Sequence, residues 1–376
     1  MNSLGLVTWF LLTPPIVAVV VVRYAQRRAR VAGVAPRDAA RRYSRALLLP
    51  WIAYALNILG AARLVGSSSS ELAVLAHTPL GAALFAGVGL LPVLFIALVV
   101  RVWARSLGHP AGAIRASVEV RAWMVQALFA VGLLACAFGL LVYVGPVASI
   151  GGALALATLE LLLFQDVFRW IWRTRPLPDR DQERLQALLR RTGASVQRIL
   201  VIPAASSGTN AFVSGMLARR RYLFVAEHLL TDLPPDEVDA VIAHEIGHLV
   251  HRHVARVGIA AVATSAVAAL VFMGTVAITV GGASDEVRRP WFALAGAGTA
   301  LATLAITRRL LRKFEFEADE FAARTLGSPQ PMANALRTLA RVNWLAEDGL
   351  DAGAFASHPT IRRRIERLSG LAIELT

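Results

Sequence analysis

Seven apolar runs, near residues 4 to 22, 46 to 65, 79 to 100, 122 to 144, 147 to 166, 254 to 280 and 291 to 307, constrain this chain more than any other feature. Each is long enough, or nearly so, to cross a hydrocarbon core of ~30 Å as a helix. Hydrophobic residues make up 56% of the chain and charged ones only 17%, a balance that suits a membrane protein and not a soluble globule. The expectation is a mainly α membrane protein with about seven transmembrane helices. The fifth run is the least regular, because Gly145-Pro146 leaves a tight turn before it and Glu160 interrupts it. The first run is expected to stay as an anchor: no basic residue precedes it, Pro14-Pro15 interrupts it and its charges follow it.

Arginine placement predicts an orientation. Eight arginines lie between Arg23 and Arg45, and Arg101, Arg105, Arg115 and Arg121 follow the third run. Ser67 to Thr78 has neither lysine nor arginine, and Gly281 to Pro290 has only Arg288 and Arg289. The N-terminus is therefore expected outside, with the stretch after the fifth run and the C-terminus in the cytoplasm. The same placement accounts for the net charge of +14 through membrane ends and anionic headgroups, so no nucleic acid is needed as a partner. Cys136 is the single cysteine, lies in a predicted span and has no intramolecular partner. Abundant arginine and alanine with one lysine, Lys313, looks like a GC-rich genome. The expected location is a bacterial plasma membrane, crossed several times.

The chemistry sits between the fifth and sixth runs, in His244-Glu245-Ile246-Gly247-His248. On a helix, His244 and His248 share a face and can share a metal, while Glu245 lies about 100° round and can reach a metal-bound water. The plain alternative is two satisfied polar histidines and a surface glutamate. Leu233-Pro234-Pro235-Asp236-Glu237-Val238 reads as a helix start, with proline and acidic residues in the first turn. The helix from about Pro235 is expected to run through His251-Arg252-His253 into the sixth span. His251 and His253 are then polar residues at the interface, with spare ligands as the alternative.

A catalytic zinc needs a third protein ligand and an open position. Phe314-Glu315-Phe316-Glu317-Ala318-Asp319 offers the best candidate. Glu315 and Asp319 are one helical turn apart, so Glu315 can bind the metal while Asp319 accepts the free ring N–H of a ligand histidine. Glu317 competes for the ligand role but falls on a different face from Asp319. The alternative for this segment is an ordinary charged helix. Arg198 to Ile202 and Arg221 to Val225 are β-rich and predict a small antiparallel sheet. If Ala211, Phe212, Val213 and Ser214 form its exposed edge, a substrate can add as a strand. Asn210 reads equally as a turn residue, and His358 before Pro359 as a loop residue. Glu160 fits the wall of an intramembrane chamber as well as it fits an interfacial site.

Four segments carry a resemblance: Asn210-Ala211-Phe212-Val213-Ser214-Gly215, His244 to His248, Phe314 to Ala322, and Ser357-His358-Pro359 followed by the basic helix Ile361 to Leu368. In this order, over about residues 195 to 370, the chain resembles the integral-membrane zinc proteases comprising the type I CAAX prenyl proteases and the HtpX-type heat-shock proteases. The resemblance implies one Zn2+ per chain at His244, His248 and Glu315, with Glu245 as general base. It also implies that Asn210 and His358 contact the substrate carbonyl or stabilise the oxyanion.

The expected organisation is a five-span region over 1–167, a first catalytic half over 168–253, a transmembrane hairpin over 254–307 and a second catalytic half over 308–376. The two halves form a cytoplasmic α+β zincin-like (gluzincin) domain. The expected function is a zinc metalloendopeptidase acting on peptides or membrane proteins near the cytoplasmic face of the lipid bilayer, in quality control or peptide processing. CAAX-type processing of lipid-modified peptides is the nearest alternative, and a non-proteolytic scaffold or transporter is a more distant one.

Overall fold

The computed structural model describes residues 3–67, 78, 90–109, 114–206, 208–215, 218–260, 263–264, 267, 285–345 and 358–374. Most of them are helical, and one small sheet accompanies the helices. The chain separates into two compact units, Met1–Arg175 with Val201–Thr209, and Pro176–Leu200 with Asn210–Thr376.

The first unit contains α1 (Ser3–Val31), α2 (Pro36–Tyr43), α3 (Leu48–Ser67), α4 (Leu91–Ser106), α5 (Ala116–Tyr143) and α6 (Pro146–Trp172). Val22, Ala25 and Trp103 form a buried cluster here, with Leu47, Val99 and Leu107 against it. The Gly145-Pro146 turn holds the fifth run in one continuous helix, α6, because Gly145 adopts φ +120° and Pro146 starts the helix. Trp9, Leu12, Ile16 and Val20 of α1 present apolar surface outward. Among the described residues one helix, Trp9–Val31, is long and apolar enough to cross a membrane, and Leu48–Asn57 is a shorter apolar helix. The described parts of the seven apolar runs are helical apart from turns at Leu90 and Val144; residues 79–89, 261–262, 265–266 and 268–280, and the side chain of Glu160, lie outside the described residues.

The sheet has strand order β1-β2-β4-β3, with β1 Arg175–Pro176, β2 Arg198–Ile202, β3 Ala211–Ser214 and β4 Tyr222–Ala226. β4 is buried along its whole length and pairs antiparallel with β3, Ala211 opposite Val225 and Val213 opposite Leu223. Gly215 turns the chain after β3 at φ +115°, where a Cβ would lie 2.2 Å from the Arg220 carbonyl oxygen. That position admits only glycine.

The remaining helices of the second unit are α7 (Asp179–Thr192), α8 (Glu227–Asp232), α9 (Pro235–Val250), α10 (Asp285–Leu326), α11 (Gln330–Val342) and α12 (Ile361–Glu374). α9 starts as its sequence predicts, with proline in its first turn followed by Asp236 and Glu237. Its buried stripe includes Val238, Val241, Ile242 and Ile246. α10 is a single helix of 42 residues that holds both the seventh apolar run and Glu315. α9 and α10 approach closely at Gly247, where a Cβ would stand 3.1 Å from Ala318 Cα and 3.2 Å from Phe321 Cβ. Gly247→Val is expected to cost about 1–3 kcal/mol by overpacking as it pushes the two helices apart, read as a lower thermal midpoint.

One expectation is corrected here. The His244 helix does not continue through His251-Arg252-His253. It ends at Val250, Arg252 takes a left-handed conformation at φ +54°, and a new helical segment occupies residues 253–260.

Candidate metal centre and active site

α9 places His244 and His248 on one face, with their Nε2 atoms 3.2 Å apart. α10 brings Glu315 to both, its Oε2 3.8 Å from His244 Nε2 and its Oε1 3.8 Å from His248 Nε2. One donor atom from each of the three residues lies within 4.8 Å of the others. One turn along α10, Asp319 Oδ1 accepts from His244 Nδ1–H at 2.9 Å. A proton on Nδ1 leaves the His244 Nε2 lone pair facing the cluster, as a metal ligand requires. Two imidazole nitrogens and a carboxylate with the Nδ1 side tied back form a donor set that fits zinc.

Glu317 does not join this cluster. Its Oε2 receives hydrogen bonds from His253 Nε2 at 2.9 Å and Arg256 Nη1 at 2.8 Å. The expectation that His253 is a polar residue at an interface is corrected: its side chain is buried, and its Nδ1 lies 2.8 Å from His248 Nδ1. The physical reason is the break at Arg252, which turns the chain back toward α9.

The residue that sequence reasoning missed is Arg364 on α12. Its Nε and Nη2 donate to the two Asp319 oxygens at 2.8 and 2.6 Å, and its Nη1 lies 3.0 Å from Glu315 Oε2. The side chain is only 11% exposed, so this cation neutralises two buried carboxylates. Burial opposes its charge, but Asp319 and Glu315 hold the guanidinium protonated. A signal existed: Arg364 lies on the stripe Ile361, Arg364, Leu368, and Leu368 is buried.

Burial pushes the Glu245 carboxyl up to about 7, against the pull of His244 and of the Val213 N–H that donates to it. Burial pushes His248 down to about 3, and the neighbouring His244 acts in the same direction. For Glu315 burial acts upward, but the His358 hydrogen bond and the Arg364 charge outweigh it and hold the carboxyl well below its usual range. Asp319 is lowered in the same way, Arg364 and His244 overcoming its burial.

A cleft of about 290 Å³ gathers these groups. Asn210, His358 and Arg364 supply polar lining, and Phe212, Val241, Met332, Leu336 and Leu339 the apolar side. His358 is exposed and its Nδ1 lies 3.0 Å from Glu315 Oε1. Asn210 Oδ1 accepts from the Ala211 N–H at 2.9 Å. β3 is an end strand of the sheet, and the Asn210 carbonyl accepts from Ala226 N–H of β4. Alternation along an antiparallel strand then directs the backbone groups of Phe212 toward β4 and those of Ala211 and Val213 away from it.

A helical unit with a small sheet, a pair of helix-borne histidines, two glutamates and an open strand edge in one cleft defines a peptidase-type site. Residues 179–372 match the family described as Peptidase family M48. The chain belongs to this family. It is similar to a protein named Protease HtpX homolog from Nostoc punctiforme, 29% identical over 224 residues that make up 55% of this chain and 77% of that protein. Another Protease HtpX homolog, from Aeropyrum pernix, is 34% identical over 194 residues, 49% of this chain and 60% of that one. The crystal structure of Ste24p from S. mikatae has a similar fold, with a TM-score of 0.61 and 18% identity, over 93% of this chain and 88% of that one.

Proposed function

We propose that this chain is a membrane-embedded zinc endopeptidase that hydrolyses peptide bonds near the cytoplasmic face, in membrane-protein quality control or peptide processing. The meeting of His244, His248 and Glu315 with Glu245 beside the free edge of β3 carries this reading. The outward apolar face of α1, a helix long and apolar enough to cross a membrane, supports membrane embedding, and the count of about seven spans rests on the apolar runs of the sequence.

His244, His248 and Glu315 would hold the zinc. The chemistry such an ion supplies is Lewis-acid polarisation of a carbonyl and acidification of water. Glu245 takes the proton from the attacking water and returns it to the leaving amine. Asp319 and Arg364 keep His244 in one tautomer. A substrate strand along β3 pairs with the outward carbonyls of Ala211 and Val213, the Val213 N–H staying on Glu245, with Phe212 on the apolar wall of the cleft. A substrate carbonyl can take the Ala211 N–H in place of Asn210 Oδ1, and the Asn210 Nδ2–H groups can donate to the substrate. The Glu315 contact raises the His358 pKa, and the protonated ring donates through Nδ1 to Glu315 and through Nε2 to the developing oxyanion.

The full chain in detergent or liposomes tests this through metal content and chelator-sensitive cleavage of an unfolded protein and of a prenylated peptide. One zinc per chain and cleavage restored by zinc are expected. Cleavage of the unfolded protein alone assigns quality control, and cleavage of the prenylated peptide the CAAX-type role. A stoichiometric metal with neither substrate cut would point to a non-proteolytic role, and a chain that retains no metal overturns the reading.

A further inference from the structure

We propose that His253, backed by Glu317 and Arg256, is a positioning residue that fixes the tautomer and ring orientation of His248. The inference rests on the reading of His248 as a metal ligand. His244 has Asp319 and Arg364 to hold it; the His253 chain gives the other histidine a separate support of different composition.

The proton arrangement follows from the contacts. His248 Nδ1 and His253 Nδ1 are 2.8 Å apart, so one must donate and the other accept. If His253 donated through Nδ1 as a neutral ring, its bare Nε2 would face a Glu317 oxygen at 2.9 Å, two acceptors in contact. The opposite order satisfies every atom: His248 Nδ1–H donates to His253 Nδ1, His253 Nε2–H donates to Glu317, and Arg256 donates to the same carboxylate at 2.8 Å. This order leaves the His248 Nε2 lone pair directed at His244 and Glu315.

The surroundings fix the ring that does this. His253 is 3% exposed and stacks on Phe314, with ring centroids 4.2 Å apart and planes 7° from parallel. Phe314 adjoins Glu315 in α10, so the surface that holds His253 moves with a member of the donor cluster. On an unbroken helix, residues five apart point about 140° away from each other and do not meet. The left-handed Arg252 allows the contact, and a non-glycine residue at φ +54° costs about 1–2 kcal/mol. Such a conformation persists where the surrounding contacts hold it in place.

Zinc affinity of the full chain, measured by competition with a chromophoric chelator, tests the proposal without reference to activity. His253→Ala should weaken binding about 10–100-fold, the usual effect of removing the partner of a ligand histidine. His253→Leu, which keeps apolar volume against Phe314, should behave like alanine. His253→Asn places an amide oxygen where Nδ1 was and should recover most of the affinity. Glu317→Ala, further from the metal, should weaken binding by a smaller factor and add nothing to His253→Ala in the double variant. Folded His253 and Glu317 variants that bind zinc within about twofold of wild type overturn the proposal, as does an additive double variant. A wild-type chain without stoichiometric zinc would instead sink the metal-site reading on which it rests.

Discussion

Glu245→Gln is expected to lower peptide cleavage at least ~100-fold while the purified protein keeps its zinc, because the amide fills the same space and cannot accept the water proton. Cleavage at the wild-type rate with metal retained would remove Glu245 from the role of base. The same variant has a pH signature in the chelated protein. A glutamate that ionises at its ordinary 4.5 when unfolded holds its proton to about 7 when folded, so it favours the folded state less as pH rises through that interval. The stability of chelated wild type relative to Glu245→Gln should therefore fall between pH 4.5 and 7, by up to ~3 kcal/mol. A difference that does not change with pH would mean that the carboxyl is ionised throughout.

Arg364→Met should be the most damaging single change in the second unit. It leaves Asp319 and Glu315 buried together without their shared cation, which typically costs about 3–5 kcal/mol. It also releases the carboxylate that holds His244, so zinc affinity and stability should fall together. Arg364→Lys keeps the charge but loses the fork that grips both Asp319 oxygens, and an intermediate loss is expected. Denaturant unfolding and chelator competition on the three proteins check this. Near-wild-type values for Arg364→Met would show that water or a neighbouring side chain replaces the guanidinium.

The sequence announced the two α9 histidines through a four-residue spacing, and picked Glu315 over Glu317 because only Glu315 shares a face with Asp319. Those are local helical relations, and a helix keeps them whatever surrounds it. The start of α9 and strands β2 and β4 were legible for the same reason. Arg364 was harder to pick out because Arg362, Arg363 and Arg367 flank it and only packing shows which arginine is buried. The role of His253 depends on a backbone reversal at Arg252, where neither glycine nor proline marks a turn. The spans are legible as apolar length. A helix long and apolar enough to cross a bilayer is described for only the first of them.

His244 Nδ1 and Arg364 Nη2 come within 3.5 Å although 120 residues separate them along the chain. Synthesis runs from the N-terminus at about 5–20 residues per second, so on the order of ten seconds pass between the appearance of one and of the other. For most of that interval a nascent copy carries the histidine pair without Glu315 and Asp319, and for the rest of it without the cation that balances them. The cluster described above is therefore complete only once α12 has been made.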